Sequence, residues 1–274
     1  MAIIGVNCDR GYRTFEECVK CPKRCIIIPP ILDQLKKSSG GYYKQREHEY
    51  HVTSLLGCPR RLVLAHVLGD FTPPDRIWKI TVGVLGHDLM ERYPVGEGRA
   101  EQQVHGNIDV NGTKCKVVGR FDWYNSRDKR LHDYKFVWRM DFIPNEKHYR
   151  QMAVYYILGI DSGVFAESDL SGGFEIDYVD VKTGIMHPYQ SIGEAFKKHV
   201  DTMRNKIPEM LEHYVKAEVE GIIPDGDLSE KECNYCPPEF KYYCPAVGGK
   251  DVKDIKSAQI AINAYRRDNT PEDD

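Results

Sequence analysis

The chain has no apolar run long enough to cross a bilayer, which takes about 20 residues. Its longest candidate, Cys25 to Leu32, is interrupted by Pro29 and Pro30. The first residues lack a charged segment followed by an apolar stretch, the pattern of a secretory signal. A cytoplasmic setting with no membrane partner is therefore expected. No internal repeat is visible, which excludes solenoids and propellers. Bulk charge is also missing: the 274 residues sum to only −3, so the chain is not a polycation that binds nucleic acid by net charge. What charge asymmetry exists lies at the front, where residues 1–61 hold eleven Lys+Arg against six Asp+Glu. That balance is compatible with phosphate binding and equally with a solvated surface.

What the chain does have is cysteine. Nine cysteines in a reducing compartment argue for metal rather than for disulfides. They sort into Cys8, Cys18, Cys21 and Cys25, then Cys58 with Cys233, Cys236 and Cys244, with Cys115 left over. Two quartets and a spare match two tetrathiolate sites, and Cys115 reads as a buried strand residue.

Hydrophobic residues make up 41% of the chain, enough for a substantial core. Five segments are expected. Residues 1–30 form a small Cys-rich metal-binding lobe, and 31–51 a polar linker. Residues 52–222 form the main domain, 223–267 a cysteine-bearing segment with a closing helix, and 268–274 a disordered tail. Helices are predicted over Val52 to Leu68, Ile77 to Arg92, Glu146 to Leu158, Ile192 to Glu220 and Val252 to Arg266. Pro208 is expected to kink or split the fourth. Alternating strands are predicted over Gln102 to Val110 and Lys114 to Tyr124, joined by the hairpin signal Asn111-Gly112. Leu131 to Val137 follows, then a hairpin of Phe174 to Val181 with Ile185 to Gln190. This order suggests an α/β sheet covered by helices.

The chemistry concentrates in the middle. Asp122 ends a strand, and Asp133 and Lys135 are i and i+2 on the next, so they share a face. Two carboxylates on rigid neighbouring strands suit Mg²⁺ or Mn²⁺. Lys135 would add a cation beside an attacking water. The alternative for that fragment alone is a surface ion pair. His87 follows Gly83 and Gly86, whose missing side chains allow close packing, and its imidazole would favour Mn²⁺. Gln151 and Tyr155 are four apart on a helix and share a face suited to a phosphate or a base edge.

In this order, the motifs Cys58-Pro59-Arg60-Arg61, Gly83…His87, Gly119-Arg120-Phe121-Asp122, Asp133-Tyr134-Lys135, Gln151…Tyr155 and Cys233-x-x-Cys236…Cys244 resemble a known family. It is the RecB-like branch of the PD-(D/E)XK nucleases, above all the CRISPR-associated adaptation exonucleases with an iron–sulfur cluster. The resemblance covers about residues 52–246. It implies a restriction-endonuclease-like mixed central sheet flanked by helices. It implies metal binding by His87, Asp122, Asp133 and the Tyr134 carbonyl, with Lys135, Gln151 and Tyr155 completing the catalytic set. It implies a DNA exonuclease acting on single-stranded ends. The setting would be CRISPR adaptation, viral replication, or recombination and repair, with proteins of those systems as partners. The rival expectation is a DNA-binding or complex-assembly module that keeps the fold without catalysis.

The resemblance also implies a 4Fe–4S cluster at Cys58, Cys233, Cys236 and Cys244, stapling the late segment beside the first helix. Zinc at the same thiolates is the alternative. The N-terminal quartet is an addition that the family does not require, read as zinc or as a second cluster. Lys20, Lys23 and Arg24 among its cysteines, and Arg60 and Arg61 after Cys58, are candidate phosphate contacts. Solvent exposure is the alternative for the last two. Tyr42 and Tyr43, between basic residues, would form a stacking platform for single strands or a disordered linker.

Overall fold

The computed structural model describes residues 3–21, 48–72, 74–92, 97–226, 233 and 236–270. Cys25, Lys23, Arg24, Tyr42 and Tyr43 lie outside these described residues. The architecture is mixed α/β. The chain divides into two compact units, one of residues 1–47, 57–81 and 212–274, the other of residues 48–56 and 82–211. No helix among the described residues is long and apolar enough to cross a membrane.

In the first unit, strands β1 (Ile3–Cys8) and β2 (Gly11–Thr14) form a hairpin, and β4 (Asp70–Thr72) pairs parallel to β1. Helix α1 (Phe15–Lys20) starts at a capping box, in which Thr14 and Glu17 satisfy each other's backbone N–H groups. The sequence predicted no regular elements here, because the cysteines obscured a short alternation. Helix α3 (Pro59–Leu68) buries Leu64 and Ala65 against Ile223, Phe240, Ala258 and Ile262. Phe240 lies in helix α7 (Pro238–Tyr242), Ala258 and Ile262 in α8 (Ile255–Asp268). Glu239 is fully buried yet satisfied. Its carboxylate accepts from Arg266 at 3.0 Å and from the Tyr12 hydroxyl at 3.0 Å, so its charge is paired as burial requires.

The predicted helix over 52–68 is interrupted. Residues Glu49–His51 form strand β3, Val52–Leu55 a single turn, α2, and α3 restarts at Pro59. Proline lacks the N–H an interior position would need, so it sits where that group is unpaired anyway. Cys58 is thereby left extended, just ahead of the helix.

The second unit holds two mixed sheets. One has order β3-β7-β6, with β6 (Gln103–Val110) and β7 (Thr113–Arg120) antiparallel and β3 parallel to β7. The turn is Asn111-Gly112, both at positive φ, as a two-residue hairpin demands. Cys115 on β7 is fully buried, in line with its reading as a strand residue. The other sheet has order β11-β10-β9-β8-β5, from β5 (Gly98–Ala100), β8 (Trp123–Asn125), β9 (Arg130–Val137), β10 (Phe174–Asp180) and β11 (Met186–Ser191). β9 and β10 are parallel; the other neighbours are antiparallel. Helix α5 (Glu146–Asp161), capped by Asn145, packs on β6. Gly106 permits this approach, because a Cβ there would meet Leu158 at 2.8 Å.

Two helices are shared between the units in sequence. They are α4 (Pro74–Arg92) and α6 (Gly193–Val219). Pro208 neither splits nor ends α6. The buried stripe Met203, Ile207 and Leu211 holds that stretch helical across the missing N–H.

Candidate functional site

Asp122 occupies the short link between β7 and β8, where the chain leaves one sheet for the other. Its Oδ2 accepts from the Tyr134 N–H at 2.7 Å and lies 3.2 Å from His87 Nδ1. The strand carrying Asp133 and Lys135 thus holds Asp122 by the amide between them. Asp133 and Lys135 form an ion pair, and Asp133 is 2% exposed. Burial pushes the Asp133 carboxyl above its usual range, against the pull of Lys135. Burial disfavours the charged form of His87, but the hydrogen bond and charge of Asp122 prevail, and its pKa is raised. Both shifts include contributions from the other members of the set, so His87, Asp122, Asp133 and Lys135 share one electrostatic environment.

Two glycines were expected to let His87 pack closely, and one does. A Cβ on Gly86 would meet the Phe136 ring at 2.3 Å, and Phe136 in turn stacks edge-on against His87. Gly83 faces open space and has no such role. Gly119 earns its place differently: a Cβ there would lie 2.6 Å from the Tyr155 ring. Tyr155 is buried, accepts from Gln151 Nε2 at 2.7 Å, and has its hydroxyl held neutral by burial and by Asp133. From α5, the Tyr155 ring lies against β7 at Gly119. Neither side chain reaches solvent, so direct contact with a nucleic-acid strand is not what this geometry offers.

Glu101 is a member that the sequence did not reveal. Its carboxylate, His87 and Asp122 place donor atoms within 4.8 Å of one another. Its N–H donates to the Asp122 carbonyl at 3.0 Å, its φ is +50°, and it pairs with Arg120. A left-handed conformation in a non-glycine residue costs energy and tends to cluster at functional sites. The available signal was weak: an acid just before an alternating strand. Asp133, paired with Lys135, is not a member of this tightest trio. An imidazole and three carboxylates form a hard, mostly oxygen donor set that fits Mg²⁺ and, better, Mn²⁺.

The second constellation lies in the other unit. Cys58, Cys233, Cys236 and Cys244 line one cavity with Arg61, Leu64 and Phe240. Burial, aided by Cys58 and Cys244, pushes the Cys236 thiol up to about 12, with Arg61 and Lys241 opposing. Metal binding would have to displace that proton, because thiols ligate as thiolates. Zinc–sulfur bonds of about 2.3 Å would bring tetrahedral thiolates to within about 4 Å. Among the described residues, no three of these sulfurs fall within 4.8 Å of one another. The four thiols could serve zinc or an iron–sulfur cluster.

Arg60 corrects an expectation. It is 2% exposed and donates to the carbonyls of Tyr243 at 2.7 Å, Val252 at 2.6 Å and Pro224 at 3.2 Å. It is neither a phosphate contact nor a solvated side chain but the anchor of the late segment. Arg61 is buried as well, beside the cysteines. Of the N-terminal quartet, Cys8 and Cys18 pack against Val6, Phe15 and Ile77, while Cys21 accepts from Arg10 at 3.4 Å. The three make no close donor group among the described residues. Lys20 ends α1.

With this geometry in hand, comparison adds fold alone. A crystal structure of SSO0001 aligns with TM-score 0.55 at 18% identity, covering 81% of this chain and 97% of that one. No family model matches the chain. No curated protein matches it significantly.

His148, one turn before Gln151, yields a prediction. Its Nδ1 lies 3.0 Å from the Tyr178 hydroxyl. Burial, then Lys135 and Lys147, lowers its pKa to about 3. The unfolded chain takes up this proton near pH 6.5 and the folded chain does not. Stability is therefore full above about pH 6.5 and falls as the pH drops toward about 3. At pH 5 the deficit is about 2 kcal/mol. Urea midpoints at pH 5 and pH 7.5 should differ less in His148→Gln than in the parent, and an unchanged difference would refute the assignment.

Proposed function

We propose that this protein is a divalent-metal-dependent DNA nuclease, an exodeoxyribonuclease acting on single-stranded ends. Its frame is that of the PD-(D/E)XK enzymes, with a 4Fe–4S staple at Cys58, Cys233, Cys236 and Cys244. The observation that carries this reading is the convergence of His87, Asp122, Asp133 and Lys135 into one electrostatically linked cluster. His87, Asp122 and Asp133, with the Tyr134 carbonyl and Glu101, would hold Mg²⁺ or Mn²⁺, which would supply polarisation of the phosphodiester and a more acidic attacking water. The Tyr134 amide fixes the Asp122 carboxylate so that it needs no reorganisation. Lys135 orients the hydrolytic water and offsets charge gathering on the phosphate. Gln151 and Tyr155 are positioning residues, the Tyr155 ring lying against β7 at Gly119. CRISPR adaptation, viral replication, and recombination or repair all require trimming of strand ends, and each suits this activity.

The test is end-labelled DNA, single- and double-stranded, incubated with MnCl₂. Progressive shortening of single strands, abolished by EDTA, is expected. Binding without turnover across Mn²⁺ and Mg²⁺ would favour the non-catalytic module instead.

A further inference from the structure

The reverse face of β9 carries a second set of donors. His132 and Glu175 are register partners on the parallel strands β9 and β10, and Asp177, two residues on, points the same way. His132 Nδ1 lies 3.0 Å from Asp177 Oδ2 and 3.7 Å from Glu175 Oε1. One donor atom from each residue falls within 4.8 Å of the others. Glu175 Oε2 is already held, by Arg130 Nη1 at 2.9 Å and Gln190 Nε2 at 2.7 Å, which turns Oε1 toward His132. Asp177 is 2% exposed, and its Oδ1 has no hydrogen-bond partner among the described residues. His132 Nε2 is likewise buried and unpartnered among them. Of the two carboxylates, Glu175 meets a guanidinium and Asp177 meets only His132, with its Oδ1 left over among the described residues. A buried acceptor without a partner costs about 1–3 kcal/mol, and an uncompensated charge more.

We propose that His132, Glu175 and Asp177 form a second divalent-cation site, separate from the catalytic one. One imidazole and two carboxylates suit a first-row ion of the Mn²⁺ or Zn²⁺ kind. The free Asp177 oxygen gives that carboxylate the means to chelate, and the Arg130 and Gln190 bonds orient Glu175 as outer partners orient metal ligands. Arg130 also repels a cation, so the site is weaker than one made of acids alone. Its role is mechanical. It rivets β9 to β10 directly behind Asp133, which is adjacent to His132 in sequence and faces the other way.

Mn²⁺ is the probe, because thiolates compete for zinc. Titration of the full-length protein, followed by electron paramagnetic resonance, should give two Mn²⁺ per chain. His132→Gln and Asp177→Asn should each lose one while keeping nuclease turnover. Asp122→Asn combined with Asp133→Asn should lose the other, so failure of the catalytic assignment is read separately. Unaltered stoichiometry in both back-face variants overturns the proposal. Anomalous scattering from Mn²⁺-soaked crystals of the unaltered protein decides without mutation. A peak among the three side chains supports the site, and its absence there rejects it.

Discussion

Asp133→Ala should abolish strand cleavage while DNA binding stays within about twofold. The expected loss in turnover is at least about 10³-fold, the scale on which removal of a preorganised electrostatic group acts. Asp133 is among the most buried acids of the described residues and the direct partner of Lys135, so on this reading one substitution would remove an ion ligand and free the amine. On the nuclease reading, affinity would rest on phosphate contacts away from Asp133, and binding should weaken steeply with salt. Leaving Lys135 unpaired also threatens the fold, at a cost of about 3–5 kcal/mol. Asp133→Asn is therefore the companion variant, since it keeps volume and hydrogen bonding. Turnover by gel assay, affinity by anisotropy and folding by circular dichroism should be measured together. Parental turnover in a folded Asp133→Asn or Asp133→Ala protein would sink the catalytic assignment.

Cys58→Ser should strip the protein of iron and of its broad visible absorption after anaerobic purification, and should lower its melting temperature. Cys58 is joined through the cavity to Cys236 and Cys244, across well over a hundred residues of chain. Closing a loop of that length is worth about 5 kcal/mol on a chain-entropy estimate. Cys236→Ser should behave alike, because its thiol shares the cavity. Cys115→Ala should keep the iron, since Cys115 is an isolated residue of β7. Zinc without iron in the parent protein, or a melting temperature unmoved by Cys58→Ser, would contradict the staple.

The sequence displayed the candidate site groups better than their supports. Asp133 and Lys135 were legible because alternation on a strand puts i and i+2 on one face. The β6–β7 hairpin was legible because Asn-Gly tolerates positive φ. Glu101 was not, since its approach to His87 and Asp122 depends on a left-handed backbone and on a hydrogen bond to the carbonyl of Asp122, distant in sequence. Arg60 was misread because its partners are backbone carbonyls, which leave no mark in composition. The break at Cys58 was hidden by apolar residues on both sides of it, although Pro59 supplied the reason. Gly83 and Gly86 look alike in sequence, and only the position of Phe136 tells them apart.

The anchoring of Arg60 has a consequence for how the chain is made. Its acceptors, Pro224, Tyr243 and Val252, emerge from the ribosome long after the arginine itself. At about 5–20 residues per second the wait is roughly 10–40 s. Throughout that interval α3 carries a cationic side chain destined for the interior with nothing to receive it. The unit that holds Arg60 and its late acceptors should therefore be the last to mature during translation.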